Sequence, residues 1–316
     1  MKKSLLVTTL TVALATVLVA CAPKESAVKS SSSSHDATTT QLTIGTMPAP
    51  DSLPLYVAQQ EGLFKKQHLN VNLQLFKSPK DRDTAIAGGQ LDGAVTDIIA
   101  FTSYVNGKLD WRIGSGLTGY FGIVTNDASV KSVKDLAGKS VAVQPRQTPQ
   151  FYLYQQLQAA GVPAKSVKTA EVAQIPVRLQ VVEQKQVTAT VLPDPFLSMA
   201  KAAGLHVLAQ SNPKDYQSTI LAFNKQLSGK ADVRKRFYTA YNQAVKLINA
   251  HKATDYSKLL EQLGYPAKNI AKTTLPTYTM ATPISDKMLG EAFNYAYTQQ
   301  ILKHEVDPES YQLPLK

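Results

Sequence analysis

Apolar and polar residues alternate along this chain with two periods. Leu42-Thr43-Ile44-Gly45 and the stretch 71–76 show the two-residue alternation of strands, and 51–65 between them carries its apolar residues at helical spacing. A strand-loop-helix-strand unit is therefore predicted at the start of the folded region. Three prolines, Pro48, Pro50 and Pro54, stiffen its first loop and hold it at the sheet edge where open α/β sheets bind ligands. The pattern then repeats. Helices are predicted from Ser78 to 87 and over 97–105, 150–160, 176–184 and from Asp194 through 201; strands over 91–96, 140–143, 167–172 and 187–192, with strand material broken by glycines at 111–125. A last strand over 220–223 precedes a helical tail at 232–250, 256–263 and 285–304. Alternating strands and helices predict an α/β fold with largely parallel sheets.

Two helix starts are sharply marked. Ser78-Pro79-Lys80-Asp81 and Ser132-Val133-Lys134-Asp135 each place a serine cap three residues before an aspartate, the capping-box spacing. Gly114-Ser115-Gly116-Leu117-Thr118-Gly119 matches the dinucleotide-binding glycine spacing but is followed by the β-rich Tyr120-Phe121-Gly122-Ile123-Val124 where that motif needs a helix. These glycines are expected to permit a bend where a strand leaves one lobe for another. An internal echo points to two lobes. Gly89-Gln90-Leu91-Asp92-Gly93-Ala94-Val95 and Lys185-Gln186-Val187-Thr188-Ala189-Thr190-Val191 share a helix end, a glutamine, an apolar residue and a strand, each closed by an acid, Asp97 or Asp194.

The N-terminus reads differently. Lys2 and Lys3 precede an apolar run, 5–20, that ends in Leu18-Val19-Ala20-Cys21, the layout of a secretory signal with a bacterial lipobox. Residues 1–20 are expected to be cleaved and Cys21 lipidated. Cys21 is the single cysteine, so an internal disulfide and a thiolate metal site are excluded. Residues 21–41, rich in serine and threonine, then read as a solvated tether. About 275 residues remain, enough for well-packed α/β lobes. The formal charge is +11, with Lys2 and Lys3 contributing two, but no dense basic run with interleaved aromatics points to nucleic acid. A basic chain could instead suit wall polymers, so a surface adhesin binding polyanionic wall or host polymers is the alternative function.

Catalytic signatures are missing: no HExxH, GxSxG or CxxC, and five histidines without ligand spacing. The expected chemistry is binding, with neither cofactor nor metal. Ser78-Pro79, Thr148-Pro149 and Asp194-Pro195 are polar caps followed by proline, and such helix N-termini offer free amides to anionic groups. Arg82 and Arg146 lie beside the first two and could fork onto a carboxylate, sulfonate or phosphate. Tyr56, Tyr120, Phe151, Tyr152 and Phe196 bring aromatic faces to the same strand ends, in the cleft or in the core. Asp97 and Asp194 are read as helix caps, Asp194 most directly because Pro195 follows.

The loop and helix Gly45 to Phe64, including Leu55-Tyr56-Val57-Ala58-Gln59-Gln60-Glu61-Gly62-Leu63-Phe64, resemble the substrate-binding proteins of nitrate, sulfonate, taurine and thiamine-precursor ABC importers (the SsuA/THI5-like family). So do Ala87-Gly88-Gly89-Gln90-Leu91-Asp92-Gly93-Ala94, the run Val133 to Val143, and Pro193-Asp194-Pro195-Phe196. The resemblance spans 42–316. It implies a type II periplasmic-binding-protein-like fold, each lobe a mostly parallel sheet flanked by helices, joined by crossing hinge strands. Lobe 1 is expected at 42–122 and 220–316, lobe 2 at 123–219. It further implies capture of a small solute between the lobes, delivery to a permease and ATPase, and a monomer held by its lipid anchor outside the cytoplasmic membrane of a bacterium lacking an outer membrane. Beyond Cys21 the chain has no cysteine to match the cysteine-rich signature of some thiamine-precursor members, so a THI5-like enzyme is the weaker alternative. The expected ligand set is Pro48, Asp51, Ser52, Tyr56, Ser78, Arg82, Asp97, Tyr120, Gln144, Arg146, Thr148, Gln150, Phe151, Asp194 and Phe196.

Overall fold

A strand enters the fold at Thr40 and is met side by side by the strand that follows its helix. The computed structural model describes residues 39–212 and 216–315, so the signal sequence and Cys21 lie outside the described residues. β1 (Thr40–Thr46) leads through a 3-10 turn into α1 (Leu53–Gln60) and α2 (Leu63–Lys66), and then into β2 (Leu69–Leu75). The single helix predicted at 51–65 is broken because Gly62 adopts the left-handed conformation, with φ of 65°, at the start of α2. α3 (Pro79–Ala87), β3 (Gly93–Asp97), α4 (Ile98–Asn106) and β4 (Arg112–Gly116) follow.

The chain then crosses to a second sheet. Its elements are β5 (Phe121–Thr125), β6 (Ser140–Val143), α5 (Thr148–Ala159), β7 (Lys168–Glu171), α6 (Ile175–Glu183), β8 (Ala189–Pro193), α7 (Phe196–Ala202) and β9 (His206–Gln210). β9 was not predicted: its residues are mostly exposed on the sheet edge, so no alternation marks it. Returning to the first sheet, β10 (Thr219–Phe223) precedes α8 (Lys225–Ser228), α9 (Ala231–Ala250), α10 (Ser257–Gln262), α11 (Ala267–Ile270) and α12 (Asp286–Thr298).

The two sheets repeat one topology. Their strand orders are β2-β1-β3-β10-β4 and β7-β6-β8-β5-β9. In each, three adjacent strands pair in parallel and the fourth, the strand that has just crossed over, runs antiparallel to both neighbours. β3 and β8, which carry the sequence echo, occupy the same position in the two sheets. Helices cover both faces of each. α1 and α9 bury Leu55, Tyr56, Phe237 and Tyr241 on one face of the first sheet, and α4 and α12 bury Phe101 and Phe293 on the other. α9 presents Val233, Phe237, Tyr241, Ala244 and Ile248 as one buried stripe. Two mostly parallel five-stranded sheets flanked by helices are the architecture that the resemblance implied.

The crossing from β4 to β5 carries the glycine run. None of Gly114, Gly116 and Gly119 has a positive φ, so they serve close approach rather than an unusual backbone conformation. A Cβ on Gly119 would stand 2.2 Å from Thr219 Oγ1, and one on Gly114 would stand 2.5 Å from both the Phe223 ring and the Tyr238 hydroxyl. Gly119 thus lets the β4–β5 crossing run against the start of β10, and Gly114 lets β4 pack closely on β10 and the helix over 231–250.

Candidate solute-binding site

The C-terminal edges of the two sheets face a common cavity of about 60 Å³. The first sheet contributes Met47, Ala49 and Asp51 from the loop after β1, Arg82 from α3, the end of β3 at Asp97, and Thr219. The second contributes Phe121, the α5 start at Pro149, Ile175 and Arg178 from α6, and Pro193. Strand ends with helix N-termini converging on a crevice are the usual ligand position in such sheets.

Asp97 ties the two halves together. As the α4 cap, its Oδ1 accepts from the amides of Ile99 at 3.0 Å and Ala100 at 2.9 Å. The same oxygen accepts from the amide and hydroxyl of Thr148, at 3.0 and 2.9 Å, in the first turn of α5. Burial pushes its carboxyl up, opposed by the Arg82 charge and these bonds. Two helix N-termini thus share one carboxylate, as their dipoles favour. Asp97→Ala would leave four donors short of an acceptor and is expected to lower unfolding free energy by about 2 kcal/mol in urea titration. Thr148→Val, which removes one of the four, should cost less than half of that.

Arg82 and Arg178 are a related pair. Each lies on the helix preceding its echo strand, and each donates through Nη1 to the carbonyl thirteen residues on, Val95 at 3.4 Å and Val191 at 3.0 Å. Arg178 follows Arg82 by the interval separating the two echo segments, the sequence signal by which Arg178, absent from the expected set, was open to discovery. Their surroundings differ. Arg82 forks onto Asp83 Oδ1 through Nε at 3.0 Å and Nη2 at 2.8 Å, and also reaches Gln147 Oε1. Gln147 and Tyr104 bond Asp83 in turn. Leu179 stands where Asp83 stands in the first half. Arg178, 1 % exposed, consequently has no ion pair among the described residues, and its Nε has no hydrogen-bond partner. Burial lowers it to about 10, partly offset by the Asp97 charge.

Asp51 is the complementary case. It accepts from the Ser52 hydroxyl at 3.3 Å and from the Thr219 side chain, without an ion pair among the described residues. Burial raises its carboxyl to about 7 against the lowering effect of those bonds and of Arg82.

The other expected residues are placed as follows. Ser52 accepts from the Met47 amide and shapes the loop; Pro48 lies across from Gly264. Ser78 caps α3 through the Asp81 amide. Tyr120 donates to Asp194, which also accepts from the Ser198 amide and hydroxyl, at 2.9 Å each, so Asp194 braces the start of α7. Tyr56 bonds Thr46 within the core, Phe151 packs on Tyr295 with ring centroids 4.8 Å apart, and Phe196 is buried beside Met47 and Tyr120. Gln144 is buried with Oε1 unpartnered. Arg146 is exposed in a turn with φ of 60°, its amide bonded to Gln150, and it does not line the cavity. The cap of α5 is Gln147 rather than Thr148, whose hydroxyl is committed to Asp97.

The NMT1/THI5-like family model matches residues 49–254. The chain belongs to that family. Comparison with curated proteins found no match. Among solved structures, the alkanesulfonate-binding protein SsuA from Xanthomonas axonopodis pv. citri, bound to MOPS, is 19 % identical, with 85 % of this chain and 96 % of that one covered at a TM-score of 0.72. The aliphatic sulphonate-binding SsuA of Escherichia coli gives 18 %, 87 % and 97 % coverage, and 0.73. The nitrate-binding NrtA of Synechocystis PCC 6803 gives 15 %, 87 % and 85 %, and 0.67. These likenesses establish the fold. Among the described residues, no helix is long and apolar enough to cross a membrane, and no cluster of three or more His, Cys, Asp or Glu could hold a metal.

Proposed function

We propose that this protein is the extracytoplasmic solute-binding component of an ABC importer, capturing a small polar or anionic organic solute between two lobes and presenting it to a permease and ATPase. The observation that carries the reading is Arg178: a buried guanidinium that makes no ion pair among the described residues and lines an inter-sheet cavity. A buried charge is stable only when compensated, and the solute supplies the compensation. Family membership and a fold shared with sulfonate- and nitrate-binding proteins support it. In this reading the two sheets with their helices are the lobes, the chain changing over between Gly116 and Phe121 and again between Gln210 and Thr219, one or two residues before the bounds expected from the sequence. They close by bending at the two crossings, of which the one from β4 to β5 carries the glycine run. Lipid attachment at Cys21 and the 21–41 tether would hold a monomeric protein at the outer face of the cytoplasmic membrane.

Solution scattering tests the clamp. Solute that copurifies with the protein, removed by partial unfolding and then added back, is expected to reduce the radius of gyration and to raise the melting temperature. Full occupancy with no compaction would exclude a two-lobe clamp. Salt-sensitive binding to wall polymers with no small-molecule stabilisation would favour the adhesin.

A further inference from the structure

Helix α5 belongs to the second sheet but leans on the first at a point outside the solute cavity. Phe151 is buried in one cluster with Ile98 and Phe101 of α4 and Phe293 of α12, and its ring meets Tyr295 of α12 with centroids 4.8 Å apart. Tyr154 meets the same ring edge-on at 5.6 Å, and Gln155 donates to Glu291 at 3.3 Å. α5 also lies against the second crossing, where the Tyr216 hydroxyl donates to Gln155 at 2.7 Å and its ring meets Tyr152 edge-on at 5.2 Å. The bearing on Tyr295 therefore sits beside the hinge. Beyond it the two helices part around a groove of about 760 Å³, walled by Gln158 and Ala159 of α5 and by Asn294 and Thr298 of α12.

The order of these contacts along α5 is that of a lever. Pro149 lines the solute cavity, Phe151 and Tyr154 bear on Tyr295, and Gln158 lines the groove. At ~1.5 Å per residue, Pro149 and Gln158 stand about 13 Å apart along the helix, with the bearing between them. Two gaps on opposite sides of one bearing change in opposite senses when the bodies turn about it. Here the groove is wide and the cavity small, about 60 Å³, the pairing that a closed clamp requires.

We propose that the groove is the counter-gap of the clamp: the lobes turn on Tyr295, the groove narrows as the cavity opens, and bulk placed in the groove holds the cavity shut. This rests on the two-lobe reading and adds to it a site, remote from the solute, that sets solute affinity. Gln158, Asn294 and Thr298 are exposed polar side chains. They can trade water for one another as the groove narrows, an exchange close to balance, so neither position of the lever is a trap.

Gln158→Trp and Thr298→Trp test it, each adding an indole to one wall of the groove, beside Gln60→Trp, which puts the same bulk on the exposed end of α1. Copurified solute is removed by partial unfolding and the refolded chains are compared by solution scattering. Both groove variants are expected to show, without solute, the smaller radius of gyration of the loaded unmodified protein, while Gln60→Trp keeps the larger radius of the solute-free one. Affinity for the copurified solute should rise in the groove variants by the reciprocal of the closed fraction of the free protein, about tenfold where one molecule in ten is closed. Because the two indoles sit on opposite walls, a variant that fails to fold leaves the other to decide. Groove variants that melt as the unmodified protein does and keep its larger solute-free radius would overturn the counter-gap and leave the clamp standing. One common radius for the loaded and solute-free unmodified protein would instead overturn the clamp on which the counter-gap rests.

Discussion

Arg178→Gln is expected to weaken solute binding by several hundredfold while leaving the unfolding free energy of the solute-free protein unchanged or slightly raised. The two signs have one cause. In the free protein the guanidinium is desolvated, has no hydrogen-bonded counter-ion among the described residues, and is lowered to about 10 by that burial, so its charge costs stability. In the complex the same charge has a partner, and removing one member of a buried hydrogen-bonded charge pair costs roughly 2–5 kcal/mol of affinity. Arg82→Gln should behave oppositely. Its guanidinium is already bound to Asp83, Gln147 and the Val95 carbonyl, so its loss strikes folding before binding. Calorimetry for affinity and urea titration for stability, run on both variants, separate the cases. An Arg178→Gln protein that binds normally but has lost stability would make Arg178 a brace for β8 through the Val191 carbonyl, with no part in the site.

How far the sequence disclosed this arrangement depended on the range of the interaction. Local signals were legible. The strand predicted at 140–143 coincides with β6, the serine cap at Ser78 is formed, and the alternation of strands and helices foretold two α/β halves, whereas the Ser132 hydroxyl donates to the Asp135 carboxylate ahead of a 3-10 turn. Prolines marked where helices begin but not which of those starts face the cavity. Thus Asp97 and Thr148 meet there, whereas Arg146, equally close to a proline-marked helix, points into solvent. The state of an arginine was not legible at all, since Arg82 is quenched by its immediate neighbour Asp83 and Arg178 is left open by a leucine at the matching place. The echo between the two halves held the missing clue. Extended backward by one helix, it aligns Arg178 with Arg82, yet the contrast in their partners appears only when Gln147 and Val191 are brought in by folding. β9 was lost for the reverse reason, because an exposed edge strand is under little pressure to alternate.

Asp51 predicts a second large effect, on the pH dependence of stability. Its carboxyl lies near 3.8 when the chain is unfolded and is raised to about 7 in the fold, chiefly by desolvation. Between these values the folded protein retains a proton that the unfolded chain has released. Stability must therefore decline as pH rises from about 4 to about 7, and level off above, the opposite of the usual salt-bridged carboxylate. The full loss is on the order of 4 kcal/mol, since each unit between the two values is worth about 1.4 kcal/mol. Arg82 opposes the shift without titrating in this range, and the neighbouring Tyr241 and Tyr278 stay protonated throughout it because burial raises them. Asp51→Asn keeps the shape and the oxygen that accepts from Ser52 and Thr219 while deleting the titration. The variant is expected to be the more stable protein at pH 8, with an advantage that shrinks toward zero near pH 4. Urea unfolding of both proteins across that interval measures the difference directly and cancels every other titrating group. A difference that stays constant with pH would mean that Asp51 is ionised in the fold from the outset, its charge already met by Arg82 and by its bonds to Ser52 and Thr219.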